Sequence, residues 1–413
     1  MVTPPVSATI DLQVAIQEEW DAIVVGAGVA GCVAAGGLAR QGKRVLLLER
    51  EVLPRHKVCG GCLNSRAVTM LGEVGAGNVV SKFRQNEVRT MEFRQVEGFS
   101  VYLKTDLLDA PFSLAISRYA LDAELVRWAI AQGAEYLDQA RAVTSDVEKN
   151  HRWLRIHHPD GDQGEATLRS DVVLCGAGLQ ERLTKSEFKK IKRANAYRGL
   201  SAKVGCWLIA PADSLSEMAP GKLTMLLSQW GYLGIVRVEE GRINLAAAIK
   251  CSALKSKEKN LRPQEIVVEI LKEAGVRYSS GLEEADWQVC PRIQRNANQV
   301  AGNRLLAIGD ATGYVEPITG EGMAWAVEGA ILAASHLANG WSPTVANGYQ
   351  RDWESALKYK RRHARVLAQL VDSTWGTRLA LHAMRAFPMV ARKSARRISC
   401  GRESKLILPT PTS

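Results

Sequence analysis

A short apolar run, Trp20-Asp-Ala-Ile-Val-Val25, opens directly into Gly26-Ala-Gly-Val-Ala-Gly31. A second apolar run, Lys43-Arg-Val-Leu-Leu-Leu-Glu49, ends in an acid 23 positions after Gly26. Strand, glycine turn, helix and strand is the economical reading of that order. Each part then has a physical job. Gly26 permits a tight turn, Gly28 lets backbone N–H groups approach a pyrophosphate, Gly31 lets the helix close on the strand, and Glu49 accepts hydrogen bonds from a ribose diol. Ala30 inside the turn and Arg50 beside the acid complete the candidate set at this end. A carboxylate at 49 repels a 2′-phosphate, so FAD or NAD is favoured over NADP. The helix also carries Gly36-Gly37, which weakens it unless close packing against a sheet or cofactor demands the missing side chains.

The chain has 413 residues, room for two or three domains at roughly 150 residues each. Its 46% hydrophobic content is ordinary, and no apolar run reaches the ~18 residues of a membrane span. The net charge of +11 is concentrated at one end: residues 351–413 hold 14 Lys/Arg and 4 Asp/Glu, leaving the body nearly neutral. That tail shows no zinc-finger spacing, RNP-like run or basic zipper, so no nucleic-acid partner is expected. Eight cysteines, at 32, 59, 62, 175, 206, 251, 290 and 400, are too sparse for a disulfide framework. Residues 1–19 read as a short polar extension without a secretory pattern, and the expected location is cytoplasmic.

Further along, Ser117–Gly133 has helical spacing and a glycine stop. His151–His158 and Ala166–Arg169 flank a turn-rich stretch, predicting a β-hairpin before a strand Asp171–Cys175. Alternation around Val88–Phe93 and Phe99–Leu103, and strand-like runs from 199 to 249, predict a separate sheet; a helix around 263–274 closes it. Within that sheet Trp230 and Tyr232 read either as one wall of a substrate site or as a core stripe. A second motif follows, Ala307-Ile-Gly-Asp-Ala-Thr-Gly-Tyr-Val-Glu-Pro-Ile-Thr-Gly-Glu-Gly-Met323. An acid at a strand end, a Pro/Gly loop and an apolar helix suit a site where Asp310 meets a sugar-alcohol hydroxyl. The helix beginning near Gly322 aims free N–H groups at a bound ring. At a flavin N1–C2=O edge that dipole stabilises the negative charge gained on reduction.

With both motifs in place, residues 20–345 resemble the FAD-dependent oxidoreductases of the geranylgeranyl reductase-like and p-hydroxybenzoate hydroxylase-like superfamily. The resemblance implies FAD as cofactor, with Gly26, Gly28, Gly31 and Glu49 on its ADP half, Arg118 nearby, Asp310 on the ribityl chain, and Gly322 and Met323 at the isoalloxazine. Val143, Gly309 and Gly320 join the implied cofactor-contacting positions. It implies an α/β fold: a Rossmann-like FAD-binding domain (20–80, 108–187 and 290–345), a β-sheet substrate domain (81–107 and 188–289) and a basic helical C-terminal segment (346–413).

The segment Pro54-Arg-His-Lys-Val-Cys-Gly-Gly-Cys-Leu63 is similar to one that follows the acid in geranylgeranyl reductase-like members. That likeness implies that Cys59 lines the reaction chamber and makes it the catalytic candidate. A redox Cys-x-x-Cys pair, half a zinc site and a plain buried thiol are the competing readings; the zinc reading lacks a second pair or a histidine at ligand spacing, and no metal is expected. Gly176-Ala-Gly178 stands where hydroxylases of the superfamily carry Ala-Asp-Gly, which weakens a directly NAD(P)H-coupled hydroxylase. The halogenases' Trp-x-Trp-x-Ile-Pro is missing, and the reductases' Tyr-x-Trp-x-Phe-Pro is replaced by Trp230-Gly-Tyr-Leu-Gly-Ile-Val236.

The reading is an FAD-dependent oxidoreductase acting on a hydrophobic small molecule, isoprenoid or polyketide-like, by hydride transfer between flavin N5 and a carbon–carbon double bond. The electron donor is NAD(P)H or a reduced redox protein. The alternatives are an FAD-dependent monooxygenase and a non-catalytic dinucleotide-fold scaffold. The basic segment, with cations interspersed among Leu367, Leu370, Leu379, Leu381, Met384, Phe387 and Val390, reads either as a peripheral membrane contact or as a solvated helical hairpin covering the FAD-binding part.

Overall fold

The computed structural model describes residues 3–95, 100–104, 111–179, 183, 188, 202–254, 261–291 and 293–400. Phe99 of the expected strand, positions 105–107, most of 180–201 and the tail 401–413 lie outside the described residues.

The first third of the chain supplies α1 (Leu12–Gln17), β1 (Glu19–Val25), α2 (Val29–Ala39), β2 (Val45–Leu48), α3 (Ser65–Glu73), β3 (Thr90–Gln95), β4 (Ser100–Lys104) and α4 (Arg118–Ala131). Then come β5 (Glu135–Leu137), β6 (Arg141–Glu148), β7 (His151–Asp162), β8 (Glu165–Cys175), β9 (Lys203–Ala210), β10 (Lys222–Ser228), β11 (Gly231–Arg237) and β12 (Ile243–Lys250). The remainder is α5 (Pro263–Glu273), β13 (Gln288–Cys290), β14 (Ala301–Gly302), β15 (Leu305–Ala307), α6 (Gly322–His336), α7 (Pro343–Asp372), α8 (Thr374–Ala386) and α9 (Pro388–Cys400).

Five parallel strands form the heart of one sheet in the order β5-β2-β1-β8-β15, the doubly wound arrangement in which the chain starts centrally and winds outward to both sides. Such a sheet is covered on both faces, so its strands are apolar throughout; all four residues of β2 are buried. One face packs against α2, α4 and α6, and the other against α1 and the antiparallel arm β6–β7. A ring contact explains the first of the two glycines inside α2. A Cβ at Gly36 would lie 2.4 Å from the Trp128 ring on α4, whereas one at Gly37 would make an ordinary 3.5 Å contact with Ala334 Cβ on α6. The neighbour that requires Gly36 is a helix rather than a sheet or a cofactor.

Three sequence expectations need correction. Residues 3–17 are no free extension: Val6 bridges Leu53, Thr9 N–H donates to the Tyr136 carbonyl, and Leu12 and Ala15 are buried in the core. The expected hairpin strand Ala166–Arg169 and strand Asp171–Cys175 are one strand, β8. It pairs antiparallel with β7 through His157↔Glu165 to Arg152↔Ser170, then parallel with β1 from Arg169↔Glu19 to Cys175↔Val25. Residues 165–175 contain neither Gly nor Pro, so nothing ends the strand between its two roles. The basic segment forms three helices, not a hairpin. α7 packs on α6, while α8 and α9 cross to β4 of the second sheet, with α9 also reaching α3.

That second sheet runs β13-β9-β12-β11-β10-β3-β4, antiparallel except where β10 meets β3. Its strands alternate between two faces. Leu226, Leu233, Ile235, Leu245 and Ile249 point to α5, where they pack on Ile266, Val267, Ile270 and Leu271. Met225, Leu227, Tyr232 and Ala248 point the other way, into an apolar cluster with Ile293 and Leu381 of α8.

Candidate active site

The cleft between the sheets begins at the glycine turn. Gly26 takes φ +98° and donates its N–H to the Leu48 carbonyl at 2.7 Å, and a Cβ on Gly31 would fall 1.8 Å from the Gly26 carbonyl oxygen. Only glycine permits both. Gly28 occupies the N-cap position of α2, so the unpaired N–H groups of that helix's first turn face the cleft. The second motif arrives alongside. Gly309 has φ +59°, and a Cβ there would lie 2.8 Å from Ala30 Cβ, so two residues 279 positions apart are in contact at one point. The Gly176–Gly178 loop closes the other side: Gly176 N–H donates to the Val25 carbonyl, and its oxygen is 2.8 Å from where a Gly26 Cβ would be.

From this corner one cleft runs to the start of α6. The sequence-predicted Gly28, Ala30, Cys59, Arg118, Gly309, Asp310, Gly320, Gly322 and Met323 all line it. Gly26 and Gly31 lie behind the turn. Glu49 is buried one step away; it accepts from Ala27 N–H at 3.1 Å, Arg50 N–H at 3.0 Å and Arg55 Nη2 at 2.8 Å. Arg50 turns its exposed side chain to Glu51, and Val143 sits half-buried on β6; neither lines the cleft.

Charge is laid out as a chain along the wall. Arg55 bridges Glu49 and Asp122, and Arg118, in the first turn of α4, meets Asp122 through Nε at 2.6 Å and Nη2 at 2.8 Å. Burial by itself raises the Asp122 carboxyl, but Arg118 and then Arg55 override it and hold the group below the usual carboxylate range. The net effect is a guanidinium fixed 3.0 Å from where a Gly28 Cβ would stand.

Lys57, a residue the sequence reading passed over, also lines the cleft. Its Nζ lies 3.8 Å from the virtual Gly28 Cβ and 3.4 Å from that of Gly178. Burial, and then the neighbouring Arg118, push its ammonium below the ordinary lysine range. Among the described residues neither Lys57 Nζ nor the Asp310 carboxylate has a hydrogen-bonding or ion-pairing partner. A side-chain-free glycine turn, two cations beside it, and an open carboxylate farther along fit the pyrophosphate and ribityl chain of FAD. A tighter turn fixes the far end, where Tyr314 lies so close to α6 that a Cβ on Gly322 would be 2.8 Å from its ring.

The Cys59 loop is held from the second sheet. Asn244 on β12 donates to the Cys59 carbonyl at 3.2 Å and accepts from Trp207 Nε1 at 2.8 Å. Gly61, at φ +69°, leaves room for that amide, and His56 stacks on Tyr119 with centroids 4.9 Å apart. Cys59 and Cys62 both line the cleft; burial, then proximity to Cys59, raises the Cys62 thiol to about 12, so it stays protonated. Opposite them stands an apolar wall of Met91, Leu223, Met225, Tyr232, Ile293 and Ile318. Tyr232 belongs to that wall, whereas Trp230 precedes β11 and packs on the α5 side, donating to Glu273 at 3.1 Å.

The comparisons with known proteins agree with this geometry. A family described as FAD binding domain matches residues 19–374. Menaquinone reductase of Mycobacterium tuberculosis (strain ATCC 25618 / H37Rv) is 27% identical over 364 residues, covering 83% of this chain and 83% of its own. Digeranylgeranylglycerophospholipid reductase 2 of Methanopyrus kandleri is 24% identical over 381 residues, covering 85% and 87%. In fold, the chain is similar to a flavoprotein/dehydrogenase from Cytophaga hutchinsonii, with a TM-score of 0.75 at 15% identity over 92% of both chains. Spanning most of its length with the family's pattern, and with the cleft to match, the chain belongs to the FAD binding domain family and is an FAD-dependent oxidoreductase.

Proposed function

We propose that the enzyme transfers hydride to or from a carbon–carbon double bond of a hydrophobic molecule, isoprenoid or polyketide-like, with NAD(P)H or a reduced redox protein as electron donor. The observation that carries this reading is one cleft with two chemically distinct ends: charged and glycine-lined around Gly28, apolar around Met225 and Ile293. When bound, FAD supplies the two-electron chemistry at N5. Residues 20–80, 108–187 and 290–345 then hold the cofactor, and 81–107 with 188–289 hold the substrate. Arg118, Lys57 and the first turn of α2 bind the pyrophosphate, Asp310 orients the ribityl chain, and the N-terminus of α6 faces the flavin ring. Cys59 shapes the chamber or helps supply the proton. The names of the two curated relatives, reductases of a menaquinone and of a digeranylgeranyl lipid, support a long polyprenyl substrate. Under the same reading the basic C-terminal segment meets the bilayer in which such a substrate resides.

The test is anaerobic incubation of the FAD-loaded, reduced enzyme with a polyprenyl quinone or geranylgeranyl lipid, followed by mass spectrometry. A product two hydrogens heavier supports the proposal. Product that forms only with O2 and carries one atom of ¹⁸O makes the enzyme a monooxygenase and overturns it.

A further inference from the structure

Among the described residues, twelve large apolar side chains stand exposed, and seven of them fall between Val366 and Val390. Chance scatter of surface hydrophobics does not concentrate them in 25 positions of a 413-residue chain. Trp375, Leu379, Phe387, Met389 and Val390 are each more than half exposed. Trp375 and Leu379 are one helical turn apart on α8, and Phe387, Met389 and Val390 surround the corner where Pro388 separates α8 from α9. Residues 374–400 carry six Lys/Arg and no Asp or Glu.

The other face of α8 does a different job. Thr377 and Leu381 are buried, and Leu381 shares an apolar cluster with Met225, Tyr232, Ala248 and Ile293, all of which line the cleft. The helix thus roofs the apolar end of the cleft and turns an apolar stripe outward. A solvated cover requires no such outer stripe. A polyanion such as nucleic acid would match the charge, but it leaves Trp375, Leu379 and the Phe387–Val390 corner in water. An anionic bilayer satisfies both features, because headgroups meet the cations while the apolar side chains enter the acyl boundary. Among the described residues no helix is long and apolar enough to cross a membrane, so the contact is one of lying on the surface.

We infer that the outer face of α8 together with the α8–α9 corner docks on an anionic lipid surface and sets the apolar end of the cleft against the membrane. This rests on the reading of a hydrophobic, lipid-borne substrate, but the docking is measured without turnover. FAD-loaded protein is sedimented with phosphatidylcholine vesicles alone and with vesicles carrying about 30% phosphatidylglycerol. The expected result is binding to the anionic vesicles only, released at about 0.5 M salt as the charges are screened. Leu379→Glu and Met389→Glu each weaken that binding at least tenfold, and Lys393→Glu weakens it and reduces its salt dependence. Flavin absorbance and circular dichroism report whether these variants stay folded and loaded, and Trp375→Ser, a milder change at an exposed site, repeats the test.

Wild-type protein that ignores anionic vesicles, or folded variants that bind as well as the parent, overturn the inference. So does light scattering that finds a dimer which Leu379→Glu splits into monomers, since the face is then covered by a second copy. Reduction of a short-chain, detergent-dispersed substrate by these variants at the parent rate separates the two questions. Docking can fail there while the proposed chemistry stands, and vesicle binding can hold where that chemistry fails.

Discussion

Lys57 shows what a folded position adds to a residue type. In Pro54-Arg-His-Lys it is one cation among several, with no motif spacing to single it out; its place beside Gly28 and Gly178 comes from a loop that long-range contacts hold down. Asp310 was legible as an acid at a strand end, whereas Arg118 came from the resemblance alone; both line the cleft. Lys57→Ala is expected to weaken FAD binding roughly 10- to 100-fold, or about 1.5–3 kcal/mol, the range for a lost hydrogen bond to a charged group. The pH dependence has a definite sign. Only the ammonium form attracts a diphosphate, and burial with Arg118 nearby makes that form lose its proton below the usual lysine range. FAD affinity of the wild type therefore falls as pH rises through that depressed value, and the Lys57→Ala protein lacks this alkaline decline. Fluorescence titration of apoprotein with FAD from about pH 7 to 10 checks both statements, a window that brackets the ordinary lysine value from below; parallel curves for the two proteins would remove Lys57 from the cofactor site.

At the scale of elements, α2 carried a visible anomaly without a visible cause. Two adjacent glycines in an apolar helix announce a close neighbour, but the neighbour, Trp128, is some ninety positions away and belongs to a helix whose register on α2 no local pattern encodes. The ring is fixed in place by its Nε1–H bond to the Gly75 carbonyl at 3.1 Å, so it cannot swing aside cheaply. Gly36→Ala should thus destabilise the protein by about 1–3 kcal/mol through overpacking, more than the roughly 1 kcal/mol that alanine gains in an ordinary helix. Denaturant melts of the loaded protein test this, and pairing the change with Trp128→Leu should recover most of the loss. A Gly36→Ala protein more stable than its parent would show that the helices can part. The same logic explains the other mismatches. Strand β8 was divided in the sequence because its antiparallel and parallel partners imply different units, although its residues run on unbroken. Residues 3–17 looked like an extension because Val6, Leu12 and Ala15 are too few to make a pattern, yet enough to fill a gap in the core.

Across the whole molecule, the second sheet, the loop before α6 and the C-terminal helices are tied by a buried knot of charge. Lys203 on β9, fully buried, places Nζ 2.6 Å from Glu316 in the loop before α6 and 2.7 Å from Asp372 at the end of α7. Tyr232 on β11 donates to the other oxygen of Glu316, and Lys250 Nζ meets the Asp372 carbonyl at 2.9 Å. Two carboxylates and one ammonium out of water are stabilising only while all three remain together, because each charge alone carries a desolvation cost of several kcal/mol. Burial already raises the Glu316 carboxyl, even with Lys203 opposing it. Lys203→Met removes the ammonium from between two acids and should cost about 3–5 kcal/mol at neutral pH. The deficit should shrink on acidification, since the Glu316 carboxyl, whose folded pKa is raised above the unfolded value, binds a proton that the unfolded chain releases, and stability returns as pH falls below that raised value. Because Asp372 is the last residue of α7, amide exchange in α8 and α9 should accelerate in the variant relative to the doubly wound sheet. Denaturation at several pH values from about 5 to 8, all above the ordinary carboxylate range, with hydrogen exchange at the highest, reads both effects. A loss independent of pH, or exchange rising equally in all elements, would mean that Lys203 only fills space and that the helices roofing the cleft are held by their apolar contacts alone.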